Sequence, residues 1–137
     1  MSEENVEIVR RLYEALSNRD AETVFSLYDP EVVWDGSGHP WSPLMGETLF
    51  YGHEGIRKFS RLYYEAWEDL EDNLEELIDA GDRVVSLSTI RARGRQSGIE
   101  VEWKHQAGVW TIRDGKIIRI VWCQTREEAL EAAGLSE

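Results

Sequence analysis

The sequence predicts an α+β fold in which a curved, mostly antiparallel sheet wraps around N-terminal helices. Apolar residues recur at helical spacing through most of the first half, whereas alternating segments separated by short turns fill the second half. One of those segments, residues 99–112, would run about 46 Å if straight, longer than an ordinary strand. It has to bend, and Gly108 near its middle is the expected place for a bulge.

The elements follow in order. Val6, Val9, Leu12 or Tyr13, and Leu16 mark an amphipathic first helix, with Ser2 as its candidate cap and Glu3 and Glu4 favourably placed in the first turn. Asp20 caps a short second helix over 21–28, which Pro30 closes. Residues 31–35 form a short strand. The loop 36–51 is long for a compact domain and carries His39 and Trp41, so it is expected to close over a binding site. After Gly52, residues Ile56, Phe59, Tyr63, Trp67 and Leu70 mark a long helix. Residues 73–79, 83–93, 99–112 and 116–124 read as strands, and short turns make them antiparallel neighbours. Thr125-Arg126-Glu127-Glu128 is a capping box opening a last helix that Gly134 stops.

In the last strand Ile118, Ile120 and Trp122 point to one face and Ile117, Val121 and Cys123 to the other. Helices cover one face; a second copy of the chain is expected to cover the other, which predicts a homodimer.

Composition narrows the function. A chain of 137 residues is expected to be a single domain over 1–137 with a core large enough to need no staple. Its 27 acidic and 15 basic residues give a net charge of −12, which repels phosphate backbones and anionic lipid; neither nucleic acid nor membrane is an expected partner. The N-terminal residues are charged rather than apolar, so a cytoplasmic protein is expected. The lone Cys123 excludes an internal disulfide and a cysteine zinc site, and His39, His53 and His105 lack ligand spacing. No metal and no cofactor are expected.

Several stretches together resemble one family. They are Leu12-Tyr13-Glu14-Ala15-Leu16 with Asp20, Gly52-His53-Glu54-Gly55-Ile56-Arg57-Lys58-Phe59, Trp110-Thr111-Ile112-Arg113-Asp114-Gly115-Lys116-Ile117, and the ending from Arg126 to Leu135. The chain resembles the SnoaL-like group of the nuclear transport factor 2-like superfamily, which also contains ketosteroid isomerase. The resemblance implies a cone-shaped sheet around helices, an apolar pocket at one end, and a dimer. It also implies a range of activities, among them isomerases, dehydratases, hydrolases and cyclases. Asp35 falls where ketosteroid isomerase has its general base. The two positions that hold the oxyanion there fall on Leu12 and on Ala107 or Gly108, whose side chains donate no hydrogen bond.

These observations leave two function classes. One is an isomerase, cyclase or dehydratase acting on a small apolar polyketide- or steroid-like compound, with Asp35 as acid–base group, pointed inward beside Val33, and His105 assisting from the strand face of Ile99, Val101, Trp103 and Ala107. The other is a noncatalytic protein whose pocket serves as a receptor. Either way Tyr13, His39, Trp41, Tyr63, Trp67, Trp103 and Trp122 are the candidate ligand contacts, since the rings suit a flat apolar molecule.

Overall fold

Arg19 and Asp20 decide where the first helix stops and the second starts. Arg19 takes a left-handed φ of 55°, and the amides of Arg19 and Asp20 return to the carbonyls of Leu16 and Ala15 at 3.2 and 2.8 Å, closing α1 (Ser2–Ser17). The Asp20 carboxylate then accepts from Thr23 N at 3.2 Å and Thr23 Oγ1 at 2.6 Å, opening α2 (Ala21–Leu27). The structure, a computed structural model, describes residues 2–39 and 46–135. The remaining elements are β1 (Tyr28–Asp35), β2 (Leu49–Tyr51), α3 (Gly52–Ala66), β3 (Trp67–Ala80), β4 (Arg83–Gly94), β5 (Glu100–Arg113), β6 (Lys116–Cys123) and α4 (Arg126–Ala132).

The six strands form one curved, unclosed sheet in the order β2-β1-β6-β5-β4-β3. Among the described residues only the β1–β6 pair is parallel. The predicted α+β class is therefore present, with β2 as an added short edge strand. Helices α1, α2 and α3 lie on the inner face, where Val9, Leu12, Val32, Trp110, Ile117 and Ile120 form the main core.

Two expectations change. The long helix ends at Ala66 rather than Leu70: Trp67 is extended (φ −129°, ψ 145°) and pairs with Gly94, while Glu68 pairs with Arg93. Ladder bonds to β4 override a helical spacing that the side chains alone would have continued. The bend in β5 also lies elsewhere. Ser88 pairs with Gln106 but Ile90 with Trp103, so β5 carries one extra residue at Lys104 and His105, and His105 has φ 60°. Gly108 pairs regularly with Ser86 and Trp122, and its missing side chain serves a close approach instead. A Cβ there would meet Trp122 Cζ3 at 2.7 Å.

A second bulge alters β6. Thr111 pairs with Arg119 but Ile112 with Ile117, leaving Ile118 extra and turning Ile117 onto the inner face with Ile120 and Trp122. The outer face keeps Val121 and Cys123 beside Val85, Leu87 and Val109, and Ala129, Leu130 and Ala133 of α4 pack over them. Thr125 Oγ1 accepts from Glu128 N at 3.1 Å and Glu128 Oε2 accepts from Gln124 N at 3.1 Å, so the expected capping box holds α4 in that place. The homodimer was expected because this face needed cover; α4 supplies it, and that support for a second copy is removed. Among the described residues no helix is long and apolar enough to cross a membrane.

One hydroxyl ties α1 to the sheet. Ser86 Oγ, fully buried on β4, accepts from Tyr13 Oη at 3.1 Å and from Trp110 Nε1 at 2.8 Å. Ser88, two residues along on the same face, is equally buried, but its hydroxyl has no hydrogen-bond partner among the described residues. Ser86→Ala should cost about 2–4 kcal/mol in urea unfolding, because two buried donors lose one acceptor, while Ser88→Ala should be neutral or stabilising. Equal effects of the two substitutions would contradict this division.

Candidate functional site

The helices do not fill the space over the bent sheet. A cavity of about 670 Å³ remains, within the usual range for a small-molecule site. Each wall traces to a local cause. The α1–α2 pair brings Tyr13, Val24 and Phe25; β1 brings Trp34; α3 brings Phe59 and Tyr63; and the inner faces of β3, β5 and β6 bring Asp72, Gln106, Trp110 and Trp122. The aromatic rings interlock. Trp34 lies 4.0 Å from Phe59 and 6.2 Å from Trp122 between centroids, and Trp110 meets Trp122 edge-on at 5.7 Å.

His39 enters this wall from the loop after β1. Gly38 makes that possible, since a Cβ on it would stand 2.2 Å from the Trp122 carbonyl oxygen; the loop backbone rests directly on β6. The His39 ring is only 3% exposed, packed 5.7 Å from Trp34 and 5.6 Å from Trp122. Burial pushes its pKa down to about 4, so the ring is neutral at ordinary pH.

Asp72 is a carboxylate on the inner face whose pKa is raised. It pairs with Ile90 on β4 and stands between Leu70 and Leu74, which pack against the apolar clusters on that side. Its Oδ1 is buried without a hydrogen-bond partner among the described residues. Desolvation raises its pKa to about 6; the nearby Ser88 hydroxyl opposes part of that rise without reaching hydrogen-bond geometry. Burial also raises Tyr13 and Tyr63 above the usual phenol range, and the Asp72 charge adds to both shifts. Gln106 Oε1 and Trp122 Nε1 are likewise buried without partners among the described residues, on side chains 4% and 6% exposed overall. The cavity thus combines an apolar body with a few unspent polar groups.

The candidates named from sequence divide. Tyr13, His39, Tyr63 and Trp122 line the cavity. Trp67 and Trp103 do not; they meet edge-on at 5.6 Å in a separate cluster with Ile90 and Ala92. Trp41 lies outside the described residues, as does the middle of the loop expected to act as a lid. His105 is corrected to the outer surface: its side chain is 76% exposed, with Nδ1 3.7 Å from Glu75 Oε1. The extra residue in β5 resets the alternation, so Gln106 faces inward where His105 was expected.

Asp35 is corrected too. Val32 and the Trp34 ring take the inward positions of β1, which sends Val33 and Asp35 to the opposite side. The Asp35 carboxylate accepts from Ser37 N at 3.0 Å and Ser37 Oγ at 2.8 Å, a turn-forming arrangement, and Oδ2 lies 3.7 Å from Arg119 Nη2. It does not line the cavity. Asp72 was missed because it lay between the expected end of a helix and the expected start of a strand. The alternation Leu70, Asp72, Leu74 was the available signal. Among the described residues no group of three or more His, Cys, Asp or Glu is arranged to hold a metal ion.

A profile of the SnoaL-like domain matches residues 9–120. Among solved structures, a protein of unknown function described as NTF2-like from Burkholderia pseudomallei is 26% identical, with a TM-score of 0.79 over 96% of this chain and 97% of its own. TerC, co-crystallized with polyporic acid, is 26% identical with a TM-score of 0.76 over 96% and 98%. A Catenulispora acidiphila protein of ketosteroid isomerase-like fold, in complex with trimethylamine, is 16% identical with a TM-score of 0.71 over 94% and 93%. No curated protein sequence matches the chain.

The two perturbed groups oppose each other in pH-dependent stability. Asp72 has its pKa raised, so from about pH 4 to 6 the folded chain keeps a proton that the unfolded chain releases, and stability falls as pH rises. His39 has its pKa lowered, so from about pH 4 to 6.5 the unfolded chain binds the extra proton, and stability rises with pH. Asp72→Asn removes only the first contribution. Urea unfolding across pH should show wild-type stability minus Asp72→Asn stability falling by on the order of 2–3 kcal/mol between pH 4 and 7. A difference independent of pH would show that Asp72 is not desolvated.

Proposed function

This chain belongs to the SnoaL-like domain family, and from that premise we propose that its cavity binds a small, largely apolar organic molecule and that Asp72 moves a proton on it. The observation that carries the reading is the Asp72 carboxyl itself: it lines an aromatic cavity, is raised to about 6 by desolvation, and leaves one oxygen without a partner among the described residues. A carboxylate with that pKa is ionised at neutral pH yet basic enough to take a proton, which is the compromise general-base catalysis needs. The co-crystallization of TerC with polyporic acid supports the small-molecule half of the reading.

The chemistry follows from what the walls offer. Asp72 takes a proton from a carbon next to a ligand carbonyl, and the electron pair passes to the carbonyl oxygen. That oxygen needs a donor, and the buried Trp122 Nε1–H is unspent. Returning the proton from Asp72 to a different carbon gives an isomer; alternatively the enolate carbon attacks a second carbonyl and closes a ring, and the alkoxide so formed takes the proton back from Asp72. Tyr13 is committed to Ser86 and stays protonated, so its role is to hold the wall. The neutral His39 ring and the Trp34 and Phe59 faces clamp the flat body of the ligand. In this reading the acid–base role assigned from sequence to Asp35 belongs to Asp72, and the polar contact assigned to His105 belongs to Gln106.

The test needs no known product. Polycyclic ketones with exchangeable α-hydrogens, incubated with the protein in D2O and followed by proton NMR, should lose those signals faster than in buffer. The rate should rise through an apparent pKa near 6. Asp72→Asn should lower the protein-dependent rate 10²- to 10⁴-fold, the general-base range, with binding retained in calorimetry. Exchange unchanged by Asp72→Asn would overturn the assignment and leave a noncatalytic binding protein.

A further inference from the structure

Two guanidinium groups stand at the opening of the cavity in this acidic chain. Arg19 and Arg57 both line the cavity and are both exposed, which places them at its entrance. Each guanidinium is laid over an aromatic ring of the same rim: Arg19 Cζ stands 4.8 Å from the Tyr64 ring centroid and Arg57 Cζ 4.6 Å from that of Phe25. The left-handed backbone at Arg19, fixed by the closure of α1, holds that side chain at the entrance.

Neither cation is spent on a carboxylate. Among the described residues, Arg91, Arg93, Arg95, Arg119 and Arg126 each stand within 4.0 Å of an Asp or Glu, whereas Arg19 and Arg57 have no such neighbour. Two surface carboxylates, Asp20 and Glu71, line the cavity with them, and among the described residues neither stands within 4.0 Å of Arg19 or Arg57. Asp20 gives both oxygens to Thr23 in capping α2, and Glu71 registers with Arg91 on β4, where its charge raises the Arg91 pKa. In a chain of net charge −12, two guanidiniums at one entrance that no carboxylate engages among the described residues are available to an anionic ligand. A guanidinium stacked by its face keeps its N–H edge free, and that edge matches a carboxylate in two-point geometry.

We propose that the ligand is a carboxylic acid, held as its carboxylate between Arg19 and Arg57 while its flat apolar body occupies the aromatic cavity. This rests on the cavity being the ligand site, and it is independent of proton transfer at Asp72. The pair of arginines selects the acid over neutral molecules of the same shape and sets which end enters first.

Anthraquinone-2-carboxylate and anthraquinone-2-carboxamide share one ring body and differ in charge. Titrated against the full chain by calorimetry at 50 mM salt, the acid should bind at least about tenfold more tightly, and the advantage should shrink at 500 mM salt. Arg19→Gln with Arg57→Gln should abolish the advantage and leave the amide's affinity within about twofold. Arg11→Gln with Arg61→Gln makes the same change in net charge away from the cavity lining and should preserve it. An acid no tighter than the amide, or an advantage that survives in the Arg19/Arg57 variant or disappears in the Arg11/Arg61 variant, overturns the proposal. Failure of both compounds to bind overturns it together with the reading of the cavity as a ligand site, whereas loss of exchange activity alone would leave it standing.

Discussion

The site depends on where the sheet bends. The row Leu74, Ser88 and Gln106 crosses β3, β4 and β5, and extra residues stand beside it in two of the three strands: Glu75 in β3, Lys104 and His105 in β5. Bulges increase local twist and bend the strand that carries them, so two of them near one row curve the sheet there. Glu75 and His105 meet on the outside of the bend, and the left-handed φ of His105 is the conformational cost of the inserted residue. A flatter sheet would let α1 and α3 pack onto it without the cavity. The same insertion reverses the alternation of β5, which turns Gln106 inward and His105 out.

The inner wall separates groups that hold the fold from groups that do not. Ser86 Oγ accepts from both Tyr13 and Trp110 and links α1, β4 and β5 through one oxygen. Asp72, Gln106 and Trp122, on the same concave side, carry buried polar atoms without a partner among the described residues. Leaving such groups unpaired costs about 1–3 kcal/mol each. Apolar residues of similar volume would avoid that cost, and local departures of this kind are found where a fold also has to recognise a ligand.

Charge is partitioned in the same way. The ion pairs of Arg91 with Glu102 at 2.5 Å and of Arg93 with Glu100 at 2.7 Å lie exposed between β4 and β5, where pairing contributes little stability. Within the cavity the chemistry depends on isolation from water instead: burial alone keeps His39 neutral and makes Asp72 a stronger base than a surface aspartate. The acidity of the chain as a whole says little about its cavity, whose entrance carries Arg19 and Arg57 and whose interior holds Asp72.

Sequence by itself determined the elements that local chemistry specifies. Asp20 and Thr125 cap helices because their side chains reach amides three residues on, and the short turns from Ala80 to Arg83 and from Arg113 to Lys116 require antiparallel neighbours. The aromatic character of Tyr13, Tyr63 and Trp122 was legible as material for a pocket wall. What only tertiary structure decided was the face each strand residue presents. Alternation has a period of two, so one inserted residue inverts everything beyond it; His105, Gln106 and Ile117 each went to the side opposite the one an unbroken pattern assigns. Asp35 was misplaced for another reason, since pairing from Val33 to Asp35 is regular: Val33 and Trp34 are both apolar, and only packing shows that the larger ring goes in. Asp72 became visible when pairing with β4 drew Trp67 and Leu70 out of the helix and made one continuous strand of residues 67–80. Its raised pKa arises from desolvation by residues distant in sequence, and no local pattern encodes a burial that distant segments create.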